Sequence, residues 1–133
     1  MNRILLATLA LLVSTAAFAG TDHYIRRDGD HVQHLKITKI GNDINVKMDV
    51  NFEPNAAEAG QKTCSAEVSG DAKSTGDNEI TMKKQIEGET RHCLLKIKLS
   101  GEGATVEQSP ECGHFAAGIC HFGSDGKELV KIK

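Results

Sequence analysis

The chain has 133 residues, 16 Lys and Arg against 18 Asp and Glu, a formal net charge of −2, four cysteines, one tyrosine and no tryptophan. That length is one domain's worth, and the faintly acidic balance speaks against the basic face that nucleic acid or an anionic membrane requires. With so few aromatics, the core has to be aliphatic.

The first segment is export chemistry rather than fold. Arg3, the apolar run Ile4 to Val13 and the small-x-small triplet Ala17-Phe18-Ala19 are the three zones of a cleavable secretory signal peptide. The run is shorter than the ~20 residues of a membrane span, and no cysteine stands at the cleavage point to take a lipid, so no membrane anchor is expected. Residues 1–19 are assigned to the signal and 20–133 to a single β domain. Removing 19 of the 133 residues leaves 114, and the loss of Arg3 moves the charge from −2 to −3.

Downstream, Leu35 and Ile37 alternate with Lys36 and Thr38. Ile44, Val46, Met48, Val50 and Phe52 then alternate with Asn45, Lys47, Asp49 and Asn51. Period two marks strands with one buried face, and Gly41-Asn42-Asp43 supplies a hairpin turn between them. Pro54 to Gln61 reads as a loop. Cys64, Ala66 and Val68 alternate again, and Ser69-Gly70 is expected to stop the strand and open a polar loop to Asn78. Ile80, Met82 and Ile86 share parity before a turn at Glu87-Gly88-Glu89. Cys93, Leu95, Ile97 and Leu99 form the next strand, Gly101-Glu102-Gly103 a turn, and Thr105-Val106-Glu107 a short strand. Ser109-Pro110 opens a loop containing Cys112 and Cys120, and Leu129 to Ile132 makes a last strand. No stretch carries a helical stripe. The pattern predicts an all-β fold, a small disulfide-stapled antiparallel barrel or sandwich of six to eight strands.

Four cysteines in an exported chain imply two disulfides. Cys64 and Cys93 both fall on the inward phase of their strands, while Cys112 and Cys120 bracket a short loop. The pairing Cys64–Cys93 with Cys112–Cys120 therefore ranks first among the three connectivities. Oxidised cysteines leave no thiolates for a metal, although Cys112, His114, Cys120 and His121 lie close in sequence and His92 adjoins Cys93. Their spacings fit no zinc template. A copper-binding amino terminus through His23 would need cleavage after Gly20, which the signal disfavours. Neither a metal nor another cofactor is expected.

Catalysis finds no support either. There is no Gly-x-Ser-x-Gly elbow, no unpaired thiol nucleophile, and Glu87 and Glu89 sit in a turn where solvation explains them. The polar loops Ser69 to Asn78 and His121 to Lys127 are the places for recognition.

Ser69-Gly70-Asp71-Ala72-Lys73, and the stretch Glu111-Cys112-Gly113-His114-Phe115-Ala116-Ala117-Gly118-Ile119-Cys120-His121-Phe122-Gly123, resemble the small periplasmic lysozyme-inhibitor-like proteins of Gram-negative bacteria. In the inhibitor families a Ser-Gly-x-x-Tyr loop enters the lysozyme cleft. Here Lys73 takes the tyrosine's place. The resemblance implies a periplasmic, non-enzymatic protein that inhibits a cell-wall hydrolase by loop insertion, with Ser69 and Lys73 as its target-binding residues. Lysozymes work with two carboxylates, which a hydroxyl and an ammonium can answer. The same plan resembles periplasmic immunity proteins that neutralise secreted antibacterial toxins, and a ligand-binding or envelope-assembly module is the non-inhibitor alternative.

Overall fold

The alternation of Leu35 to Phe52 is one continuous hairpin in the computed structural model, which describes residues 19–53, 63–116 and 118–132. Apart from Ala19, the expected signal peptide lies outside the described residues, as does the expected loop Pro54 to Gln61. Among the described residues there are eight strands, β1 (Ala19–Asp28), β2 (His31–Ile40), β3 (Asp43–Phe52), β4 (Cys64–Gly76), β5 (Glu79–Gln85), β6 (His92–Ser100), β7 (Gly103–Gln108) and β8 (Leu129–Ile132). Each pairs antiparallel with the next, and β8 returns to β1, giving a closed barrel. The left-handed backbone that Gly41 needs in the β2–β3 turn (φ +60°) is one that residues with a Cβ rarely adopt.

Inward positions follow the expected parity. Leu35, Ile37, Val46, Met48, Val50, Met82, Leu95 and Ile97 are buried, so the interior is filled by side chains, as in other small barrels. Each such residue contributes ~1.5–3 kcal/mol by leaving water. Lys36, Lys47, Asp49, Glu67, Lys73, Lys83, Lys96 and Lys98 alternate with them on the outside. That is the reverse of a membrane-spanning barrel, whose outer band is apolar.

Two readings of the sequence are corrected. Ser69-Gly70 does not end β4, which runs on through Gly76, so the expected polar loop is strand down to a tight turn at Asp77-Asn78. Its inward positions there are Gly70, Ala72 and Ser74, too small to leave a hydrophobic signal. A Cβ on Gly70 would stand 2.7 Å from the Lys83 carbonyl oxygen and 2.9 Å from Met82 Sδ, so β5 fills the space. The second correction is the disulfide pairing, which is Cys64–Cys120 and Cys93–Cys112.

Strand stagger explains the pairing. Cys93 pairs with Lys84 on β5, and the β4–β5 register (Ala72 opposite Met82) sets Lys84 level with Gly70. Cys64 lies six residues further along β4, ~20 Å away at the rise of a strand. A disulfide tolerates ~7 Å between Cα atoms. Facing inward is not enough when the register separates two cysteines along the barrel axis. β5 stops short at this end, and the segment 109–128 crosses it. Its 3-10 turn Pro110–His114 packs on β6, where Cys112 bonds to Cys93. The 3-10 turn Gly118–Cys120 packs on β3 and β4, where Cys120 bonds to Cys64.

From there the segment turns inward. Phe122, Gly123 and Ser124 are buried, and polar groups hold them. Gln33 Nε2, itself buried, donates to the Gly123 carbonyl at 3.0 Å. Phe122 N donates to Gln108 Oε1 at 2.7 Å. Ser124 N donates to the Val106 carbonyl at 2.8 Å, while Val106 N donates to Ser124 Oγ at 2.9 Å. The second expected recognition loop, His121 to Lys127, thus begins as the plug of one barrel end.

Candidate functional site

The outer face of β4–β6 carries a groove, a hollow of about 460 Å³. Asp71, Lys73 and Thr75 of β4 form one wall, Thr81, Lys83 and Gln85 of β5 the centre, and His92 of β6 the far side. A break in register between Ser74 and Gly76 bends β4 here, which is how a bulge re-aims side chains. Thr75 Oγ1 donates to Glu79 Oε1 at 2.9 Å and lies 2.9 Å from Thr81 Oγ1, fixing that wall.

Lys73 stands opposite Thr81 in the ladder, exposed, and lines the groove. Lys83 is one step along β5, and Lys96 and Lys98 continue the outward row on β6. Lys98 pairs with Glu107 on β7 at 3.9 Å. Asp71 and Glu79 lie among these cations, yet the lysines predominate, so a chain with net negative charge presents a basic stripe here. Net charge alone does not locate a field; arrangement does.

The two residues expected to bind a target are therefore separated. Ser69 points outward from β4, opposite Lys47 of β3, and is not among the residues that line the groove. Lys73 lies four residues on, ~13 Å along the strand. Lys83, Thr81, Gln85 and His92 join Lys73 instead. Sequence reasoning missed them because only the β4–β5–β6 register makes them neighbours.

A second cluster occupies the outside of β1–β4. His23 Nε2 and His34 Nδ1 are 2.9 Å apart. Burial, then the facing His34 and the Lys36 ammonium, lower the pKa of His23, with Asp49 opposing. Burial, Lys36 and Arg27 lower that of His34. Asp49 is opposite His34, and Glu67 opposite Asp49. Burial first, then the hydrogen bond to Glu67, raise the Asp49 carboxyl. That same bond and the Lys47 ammonium, 3.1 Å away, lower Glu67. Where the two carboxyls share a proton, Asp49 holds it.

Among the described residues no three His, Cys, Asp or Glu groups already stand together as a metal centre, and no helix is long and apolar enough to cross a membrane. All four cysteines are bonded. No protein-family model, curated protein or solved structure matches the chain.

Proposed function

We propose that the chain is an exported, non-enzymatic binding protein of the periplasm that occludes the carboxylate-bearing cleft of a lysozyme-type cell-wall hydrolase. The contact is made with the outer groove of β4–β6 rather than with an inserted loop. The observation that carries this reading is the grouping of Lys73 and Lys83 over a preformed hollow whose walls are fixed by strand pairing. A rigid site loses little conformational entropy when it binds, and ammonium groups are the chemical answer to two catalytic carboxylates. Two cystines accord with an oxidising compartment.

The test is inhibition of animal and bacteriophage lysozymes by the processed protein, alongside capture of hydrolases from periplasm. Inhibition is expected for at least one enzyme, with Lys73→Ala and Lys83→Ala each weakening it. If either ammonium meets a desolvated carboxylate, the loss is ~2–5 kcal/mol, mostly in dissociation rate. Wild-type protein that binds no hydrolase overturns the reading. Inhibition unchanged in both variants moves the working face off the groove.

A further inference from the structure

The two cystines take no part in the groove contact, and the folded barrel encloses them to different degrees. Cys93 and Cys112 are each 0% exposed, and the chain around them is tied down. Ser109 N donates to the Leu94 carbonyl at 2.9 Å, Leu94 N to Ser109 Oγ at 2.9 Å, and Cys112 N to the Ser109 carbonyl at 3.0 Å. Cys64 and Cys120 sit at the rim instead. Cys64 is half-buried as the first residue of β4, and Cys120 ends a 3-10 turn whose other residues, Gly118 and Ile119, are exposed. Closing that turn, His121 N donates to the Gly118 carbonyl at 3.1 Å. From β2, His31 Nε2 donates to the Ile119 carbonyl at 2.8 Å in an exposed contact.

A disulfide is exchanged by attack of a thiolate on one of its sulfurs, so the rate depends on access. An enclosed cystine waits for the fold to open, whereas one at a rim does not. We infer that Cys64–Cys120 is a thiol–disulfide exchange site, open in the folded barrel to a dithiol protein of the thioredoxin class, and that Cys93–Cys112 is the fixed staple. A thiolate of the dithiol attacks Cys64 Sγ, the Sγ–Sγ bond breaks, and Cys120 leaves as a thiolate that takes up a proton. The second thiol of the dithiol loses its proton, attacks the mixed disulfide and releases Cys64, which is protonated in turn. Two electrons and two protons thus pass to the cystine, and the dithiol ends as its own disulfide. Ile119, 48% exposed and adjacent to Cys120, offers such a protein an apolar side chain to hold beside the bond. Cys112 stays bonded to β6, and Gln33, Gln108 and Ser124 still hold Phe122 to Ser124. What reduction releases is the grip of the turn Gly118–Cys120 on β3 and β4.

The test treats folded, processed protein with dithiothreitol in the absence of denaturant, quenches with iodoacetamide and maps the alkylated peptides by mass. Cys64 and Cys120 are expected to be labelled at least ~10-fold faster than Cys93 and Cys112, with the β circular dichroism retained. Low urea should leave the rate at Cys64–Cys120 flat and raise that at Cys93–Cys112 in step with unfolding. His31→Ala, which removes the bond to the Ile119 carbonyl, should speed the first reaction and not the second. Equal rates, earlier loss of Cys93–Cys112, a shared urea dependence, or no reduction of either cystine in the folded protein overturns the site. With thioredoxin as the reductant, Ile119→Ser should slow the reaction while leaving that of dithiothreitol unchanged. The same rate with thioredoxin in Ile119→Ser and wild type overturns the docking role of Ile119. No hydrolase enters these measurements, so their failure is distinct from failure of the inhibitor reading.

Discussion

The wall formed by β1 to β4 and the seam where β7, β8 and β1 meet close the same barrel by different means. Along the wall, β2 and β3 pair over ten successive positions, and each strand pairs with its neighbour in sequence. At the seam, β8 pairs with β7 at two positions and with β1 at three. The rest of that closure falls to the segment 109–128, held by two cystines and by the amides and hydroxyl of Gln33, Gln108 and Ser124. The wall is stabilised by local hairpins and a repeated apolar face. The seam depends on bonds between residues far apart in sequence, and so it should be where the barrel is weakest.

Breaking the cystines should therefore have the largest effect. Cys64 and Cys120 are 56 residues apart, Cys93 and Cys112 only 19. In the chain-entropy picture, the paired Ser variants should lose ~4 and ~3 kcal/mol respectively. Denaturant unfolding measures both, and hydrogen exchange should show opening at residues 118–132 before β2 and β3. Equal loss of protection in wall and seam would erase the distinction.

Next comes the buried polar anchor. Gln33→Leu leaves the Gly123 carbonyl without its donor inside the plug, and should cost ~1–3 kcal/mol. A midpoint equal to wild type would mean that packing of Phe122 alone holds the segment.

The wall has its own weak point, which is acid. Both His23 and His34 have folded pKa values below the ordinary 6.5, so below that pH the unfolded chain binds more protons. Their contribution is fully present above pH 6.5 and declines as pH falls through 6.5 toward the folded values. Asp49 works in the opposite sense: raised above 3.8, its share is present below that value and is lost as pH rises through the folded pKa. Unfolding midpoints of wild type and His34→Gln across pH 5 to 8 should therefore converge at the acid end. Parallel curves would exclude the imidazole pair as the cause.

The smallest effect is expected where the groove is exposed. Lys73→Ala should alter folding stability by no more than about 0.5 kcal/mol, so any loss of inhibition in that variant reports on the contact itself.

Strand phase was legible wherever inward residues were large. Ile44 to Phe52 and Cys93 to Leu99 could be assigned from alternation alone, and an antiparallel barrel was among the expected outcomes. β1 escaped because Asp22, Tyr24, Arg26 and Asp28 occupy its inward positions, of which only Tyr24 is apolar and buried. The second half of β4 escaped because Gly70, Ala72 and Ser74 are small, and at Gly70 Met82 and the β5 backbone fill the space. In the candidate site, Lys73 was legible as a residue but its companions were not.

From the sequence alone come the β class, the inward parity of each clear strand, the oxidised cysteines and the turn at Gly41. These depend on residue chemistry and on spacings of a few positions. The choice of a closed barrel, the Cys64–Cys120 and Cys93–Cys112 pairing, the plug around Phe122, and the neighbours of Lys73 and of His34 were decided by tertiary structure. Each depends on the stagger between strands, and stagger is set by the sum of all ladders around the barrel, where one register step moves a side chain ~3.3 Å along the axis and onto the other face.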